Sequence, residues 1–155
     1  MKQEIERKFL VKDHSWRLSA GVGVKITQGY LSSGAESTVR VRVAGGRGFL
    51  TVKGRPAGIA RTELEYEIPP ADALYMIEHL CGGRVITKTR YTVKYAGAVW
   101  EIDEFSGAHT GLVLAEIELE AEDQPVGAPD WLGEEVSADR RYTNAALAET
   151  TTKKI

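Results

Sequence analysis

The stretch Glu4-Ile5-Glu6-Arg7-Lys8 decides how this chain is read. Successive side chains of a strand point to opposite faces, so Glu4, Glu6 and Lys8 share one side and Ile5 takes the other. The habit recurs downstream: Arg40 and Arg42, Thr51 and Lys53, Glu63 with Glu65 and Glu67, Lys88 and Arg90, Glu101 and Asp103, then Glu116, Glu118 and Glu120. Each set alternates with mostly apolar neighbours. One face of nearly every strand is ionic.

Period-two segments cover residues 3–12, 24–32, 37–44, 48–54, 61–68, 85–95, 98–105 and 112–121, which makes about eight strands. Turn chemistry separates them, as at Ser32-Ser33-Gly34, Ala44-Gly45-Gly46 and Ala96-Gly97, so antiparallel hairpins and a meander are expected. Helical signal is confined to Pro70–Leu80, where Leu74, Ile77 and Cys81 are expected on the buried face, and to a weaker stretch at 143–149 with Asn144 as its cap. Residues 150–155 read as a frayed tail.

Bulk composition narrows the choices. A chain of 155 residues with 43% hydrophobic content supports one ordinary core, so a single domain over 1–155 is expected. A formal net charge of -2 gives nothing global to attract nucleic acid or an acidic membrane surface. Cys81 is the lone cysteine, and the charged start lacks the apolar run of a secretory signal, so a cytoplasmic protein is expected. The longest aliphatic run, Leu112–Ala115, is far short of the roughly 20 residues that cross a bilayer as a helix.

A solvated sheet face alone explains charged alternation on any one strand. Sorting by sign does not follow from solvation: residues 40–42 and 88–90 are basic, whereas 63–67 and 116–120 are acidic. Closing the sheet removes its edges and sets one face around a lumen. Either face satisfies the pattern from inside. If the ionic groups face in, Val39, Val41, Leu64, Tyr66, Ile68, Trp100, Ile102, Ile117 and Leu119 need covering by helices or a partner. Confined carboxylates and guanidiniums then need a reason, since an unpaired buried charge costs several kcal/mol. A polyanion with a divalent cation supplies one. Leu112 and Leu114 share a facing with Glu116, so a bulge intervenes or one end of such a tunnel is dry.

Glu4-x-Glu6-x-Lys8 resembles the signature of the CYTH, or triphosphate tunnel metalloenzyme, superfamily. Further blocks stand in the family's order: Thr27-Gln28-Gly29-Tyr30-Leu31, Val39-Arg40-Val41-Arg42, Thr51-Val52-Lys53-Gly54, Arg61-x-Glu63-x-Glu65-Tyr66-Glu67, Lys88-x-Arg90-Tyr91, Glu116-x-Glu118 and Glu135-Val136-Ser137-x-Asp139-x-Arg141-Tyr142-x-Asn144. The resemblance implies a mainly β (α+β) fold, a closed eight-stranded antiparallel barrel with a few flanking helices, whose tunnel binds a triphosphate with Mg²⁺ or Mn²⁺. It implies a phosphate-binding set of Lys8, Arg40, Arg42, Lys53, Lys88, Arg90 and Arg141. It also implies a metal set of Glu4, Glu6, Glu116 and Glu118, with Glu63, Glu65 and Asp103 lining the tunnel. Glu4 or Glu6 would activate water, and Tyr30 with Lys53 resemble a pair thought to assist catalysis in thiamine triphosphatases of the superfamily.

Hydrolysis of inorganic tripolyphosphate by water is the reaction expected. The alternatives are a class IV-type adenylate cyclase, a thiamine triphosphatase and a polyphosphate-binding module without turnover. An apolar outer stripe of Trp100, Ile102, Ile117 and Leu119 suits either a homodimer or covering helices. His14, His79 and His109 lack ligand spacing and read as surface or packing residues.

Overall fold

Alternation of this kind is satisfied by wrapping the sheet on itself, and the computed structural model, which describes residues 2–152, does so. Nine strands form in chain order: β1 (Lys2–Val11), β2 (Val24–Ser33), β3 (Ser37–Ala44), β4 (Arg47–Gly54), β5 (Ala60–Ile68), β6 (Val85–Tyr95), β7 (Ala98–Ser106), β8 (Val113–Glu118) and β9 (Leu132–Glu135). Helix α1 (Pro70–His79) lies between β5 and β6, and α2 (Asn144–Thr152) follows β9. The sheet order is β5-β4-β3-β2-β6-β7-β8-β1-β9, and a further β5–β1 pairing closes an eight-stranded antiparallel barrel. No helix among the described residues is long and apolar enough to cross a membrane.

Two meanders, β2–β5 and β6–β8, replace the single one expected: β6 pairs with β2, not with its predecessor β5. β1 seals the ring by splitting its length. Lys2–Ile5 pair with β5, Glu6–Leu10 pair with β8, and β9 continues along the edge that β5 has left. The β3–β4 turn is tight because Gly45 and Gly46 take φ of 55° and 78°, the left-handed pair that matches strand twist.

The outer apolar face is covered by the chain itself. Helix α1 sets Ala73 and Ile77 against Val41, an i, i+4 pair, and Cys81 just past its end joins them. Leu74, expected on that face, is nearly half exposed. Gly29 points outward beneath Cys81, where a Cβ would come within 2.6 Å of the sulfur. Trp100, Ile102, Ile117 and Leu119 are buried under Trp16 and Trp131, so the stripe that suited a dimer is already occupied. These rings also pack on each other, Trp100 meeting Phe9 and Trp131 edge-on at 5.5 Å.

The inner face is ionic over most of its depth and apolar at one end. Registers place Leu114 beside Leu10, Phe105 beside Lys88 and Ile86 beside Gln28, all facing in. Tyr30, Ile86, Phe105 and Leu114 cluster there with Val136 and with Leu147 and Ala148 of α2. Part of one barrel end is thus plugged dry, and of the two outcomes left open by the shared facing of Leu114 and Glu116, a bulge or a dry end, the chain takes the second. His109 packs edge-on against Phe105, its Nε2 2.7 Å from the Leu147 carbonyl.

Asn144 does not cap α2. Thr143 does so, its Oγ1 accepting from the Ala146 N–H at 3.1 Å, which frees the Asn144 amide for the tunnel. Residues 150–152 continue the helix, and the rest of the expected tail lies outside the described residues.

Candidate active site

Closure brings the cationic strands opposite the acidic ones. Arg40 and Arg42 of β3 face inward beside Thr51 and Lys53 of β4, while Lys88 and Arg90 of β6 lie beside Asp103 of β7. Asp103 is the acceptor for two cations at once. Its carboxylate takes Lys88 Nζ at 2.7 Å and a bidentate pair from Arg90, Nε at 2.7 Å and Nη2 at 2.8 Å. Burial works against ionising Asp103, but the charges of Lys88 and Arg90 hold its carboxyl well below the usual range.

Burial first, then the neighbouring Arg90 and Arg42, push Lys88 down to about 7 against the pull of Asp103. Its side chain is 0% exposed, and its Nζ also donates to Asn144 Oδ1 at 2.9 Å. The structure therefore places Lys88 in the tunnel wall, with two of its three donors already used.

Three guanidiniums remain crowded around the lumen. Burial, then the charges of Arg40 and Arg90, push Arg42 down to about 10, so it stays protonated at neutral pH and the crowding persists as repulsion. Its Nε donates to Gln28 Oε1 at 2.9 Å, and Gln28 in turn donates to the Tyr30 hydroxyl at 3.0 Å. Arg40 donates to Thr51 at 3.1 Å and approaches Glu65 at 3.4 Å, yet its buried Nε has no partner among the described residues. A buried donor without an acceptor is costly and marks where a ligand oxygen would fit.

The carboxylates line the facing wall. Lys53 Nζ reaches Glu4 at 2.8 Å and Glu63 at 3.5 Å, and Lys8 Nζ reaches Glu116 at 3.5 Å while donating to the Tyr142 carbonyl at 3.0 Å. Burial would push Glu116 up, but Lys8 and Arg90 outweigh it and hold the group at about 2. Glu4 behaves likewise, with Lys53 overcoming burial, whereas burial and Glu4 together push Glu63 up.

Glu6 differs from all of these. Its carboxylate makes no hydrogen bond or salt bridge among the described residues, and burial, then Glu116 and Glu4, push it up to about 8. The folded state therefore holds a proton that the unfolded chain releases near 4.5. This stabilisation is complete below that value and is lost as pH rises through about 8. In chelator, the melting temperature is expected to fall over that window in wild type and to fall less in Glu6→Gln. Parallel pH profiles of the two proteins, read by thermal melts, would contradict this.

Two expected site residues stand apart. Arg141 is 81% exposed and turned back on Asp139 at 2.7 Å, because the short turn at 140–142 directs it to solvent. Glu118 lies at the rim, 53% exposed and paired with Lys2 at 2.8 Å. Glu65 is also at the rim, accepting from Thr51 at 2.8 Å. Gln28, Thr51, Asn144 and Arg61 belong to the lining but were given no site role from sequence. Parity was the available signal: Thr51 shares the facing of Lys53, and Arg61 that of Glu63.

Two cavities open from this lining. One of about 110 Å³ is bordered by Glu4, Glu6, Lys8 and Arg61, and one of about 80 Å³ by Glu6, Lys8, Tyr30, Arg40 and Lys53. Such a lumen can grip a chain of oxyanions on its cationic side and present carboxylates to the same ligand.

Comparison with known proteins agrees with the geometry. An inorganic triphosphatase from Acetivibrio thermocellus is 46% identical over 149 residues, spanning 96% of this chain and 95% of its own. One from Nitrosomonas europaea is 40% identical over 150 residues, spanning 94% and 96%. A solved structure described as an inorganic triphosphatase superimposes with a TM-score of 0.68 at 36% identity, covering 96% of this chain and 95% of that one. The CYTH domain matches residues 2–151, and the chain belongs to that family.

Proposed function

We infer that the protein is a triphosphatase that hydrolyses inorganic tripolyphosphate with a divalent cation. The observation that carries this is the crowding of Arg40, Arg42 and Arg90 inside a closed barrel, with a buried Arg40 Nε lacking an acceptor and, opposite it, the Glu6 carboxylate lacking an ion pair among the described residues. The names of the two similar curated proteins support the same substrate.

The donor set fits a hard cation. Glu4, Glu6 and Glu116 offer oxygen only, and burial and then repulsion from Glu116 and Glu4 raise Glu6, which a divalent ion would oppose. No group of three or more such residues among those described is gathered tightly enough to hold a metal alone. Mg²⁺ or Mn²⁺ would be held by Glu6 with Glu4 or Glu116 and completed by phosphate oxygens and water. When bound, it would neutralise charge on the phosphate chain.

The chain's own residues position the rest. Phosphoryl transfer needs placement and charge stabilisation more than covalent help. Arg40 and Arg42 would hold the non-bridging oxygens on one side and Arg90 on the other, each a planar fork suited to phosphate. Lys8 and Lys53 add point charges at the cavity walls. Asp103 keeps Arg90 aimed into the lumen, and the apolar plug beneath α2 keeps water from its own side of that barrel end. Glu4 or Glu6 would orient and deprotonate the water that attacks a terminal phosphorus. Tyr30, with its ring in the dry plug and its hydroxyl in the lumen, would border the phosphate chain.

The test is one series with tripolyphosphate, ATP, thiamine triphosphate and pyrophosphate, each with Mg²⁺, Mn²⁺ or chelator, reading free phosphate and cyclic AMP. Phosphate is expected from tripolyphosphate with metal and not with chelator. Cyclic AMP from ATP, or tight binding of tripolyphosphate without turnover, would replace this function with a cyclase or a binding module.

A further inference from the structure

Arg61 stands where three cavities meet, and no carboxylate among the described residues claims it. It is in register with Glu4 across β5 and β1, but the Glu4 carboxylate is taken by both contacts from Lys53, at 2.8 and 3.1 Å. Arg61 is anchored through its Nε, which donates to the Gly54 carbonyl at 3.0 Å. Its remaining donors find no acceptor among the described residues, whereas Arg90 is gripped by Asp103 and Glu101.

Besides the two tunnel cavities, Arg61 borders a third of about 370 Å³ outside the lumen. The β2–β3 turn, the β4–β5 loop and the first turn of α2 enclose it. Arg55 and Arg140 line it with Arg61; among the described residues Glu149, 3.9 Å from Arg84, is the one carboxylate in the lining, and the exposed Glu36 beyond it lies 3.7 Å from Arg55. The barrel end where β5 and β8 finish and β7 begins has the opposite character. Glu65, Glu101 and Glu118 are there, each at least two-fifths exposed, and the nearby cation Lys2 is already paired.

We propose that the outer cavity is the entry subsite for substrate, in which Arg55, Arg61 and Arg140 capture a terminal phosphoryl group of the linear phosphate chain and deliver it to the tunnel. The proposal rests on the triphosphatase function above. A polyanion is drawn to the arginine-lined mouth and repelled by the acidic one, and focusing of this kind raises association by tenfold or more. Guanidinium forks match phosphoryl oxygens, and Arg61 reaches both sides of the threshold, so the leading phosphate can pass inward without losing its cation. The threshold is shared: Thr38, Thr143 and Ala145 border both the outer cavity and the inner one that contains Lys8 and Arg40.

The experiment compares wild type, Arg55→Ser with Arg140→Ser, Arg61→Ala and Arg61→Lys. It reads kcat and KM for tripolyphosphate at low and high salt, and calorimetric binding of tripolyphosphate in chelator. The double variant and Arg61→Ala are each expected to raise KM and weaken binding about tenfold, to flatten the salt dependence and to leave kcat within about twofold. Arg61→Lys is expected to recover most of the salt-dependent part. Unchanged KM and binding in the double variant, whose two positions are exposed and tolerant of change, would overturn the proposal. So would a loss of kcat at constant KM in Arg61→Ala. Wild type that binds tripolyphosphate without hydrolysing it would reject the triphosphatase function, and the binding comparison alone would then decide the entry subsite.

Discussion

Glu6→Gln is expected to lower turnover of tripolyphosphate by about 10²- to 10⁴-fold, the range contributed by a positioned acid–base group, without unfolding the barrel. The substitution keeps the shape of the side chain and removes a charge that burial, Glu116 and Glu4 disfavour by more than Lys53 and Lys8 favour it, so little native attraction is lost. Initial rates with saturating Mg²⁺ measure the first effect and far-UV circular dichroism melts the second. Rates within twofold of wild type would remove Glu6 from the mechanism. A barrel that no longer folds would show that the carboxyl group is needed for structure.

Asp103→Ala is expected to cost about 3–5 kcal/mol of stability, the penalty for leaving a buried ion pair half broken. Arg90 would keep its charge and lose its principal acceptor, and Lys88, already pushed down to about 7 by burial, would lose the carboxylate that supports its charge, in a region where Asp103 is only 1% exposed. Urea denaturation at neutral pH reads this directly, and a loss below about 1 kcal/mol, typical of a surface pair, would contradict it. The pair also sets a direction with pH. The depressed Asp103 carboxyl contributes stability above its unfolded value, and that contribution is lost as acid protonates it in the folded state.

Facing was legible in the sequence because a closed sheet keeps a strict period of two, so Glu4, Glu6, Arg40, Lys53 and Glu116 could be assigned to one side before their neighbours were known. Which strands are adjacent was not legible. Alternation carries no information on whether β6 joins β5 or β2, and that choice is made by long-range pairing. The dry end was readable from the parity of Leu114 with Glu116, but its cover was not, since α2 presents only Leu147 and Ala148 from an alanine-rich stretch.

The errors have local causes. β9 was missed because Leu-Gly-Glu-Glu is four residues long and does not alternate, and it pairs only because β5 leaves an edge of β1 free. Asn144 was read as a cap because Thr143 beside it is an equally good one, and only Lys88, far off in sequence, shows which amide the tunnel uses. Leu74 was placed on the buried side of α1 by an i, i+3 pairing with Ile77, whereas the smaller Ala73 lets the helix sit close to the strand containing Gly48. Arg141 follows its family block in sequence, but the turn around it points the guanidinium to solvent.

The most direct test is a crystal structure of Glu6→Gln grown with tripolyphosphate and Mg²⁺. The phosphate chain is expected inside the barrel, with oxygens within hydrogen-bonding distance of Arg40, Arg42 and Arg90 and with Arg40 Nε acquiring an acceptor. A chain bound only on the outer surface, with the tunnel side chains paired to one another as they are without it, would contradict the assignment of this lumen as the place where triphosphate is held.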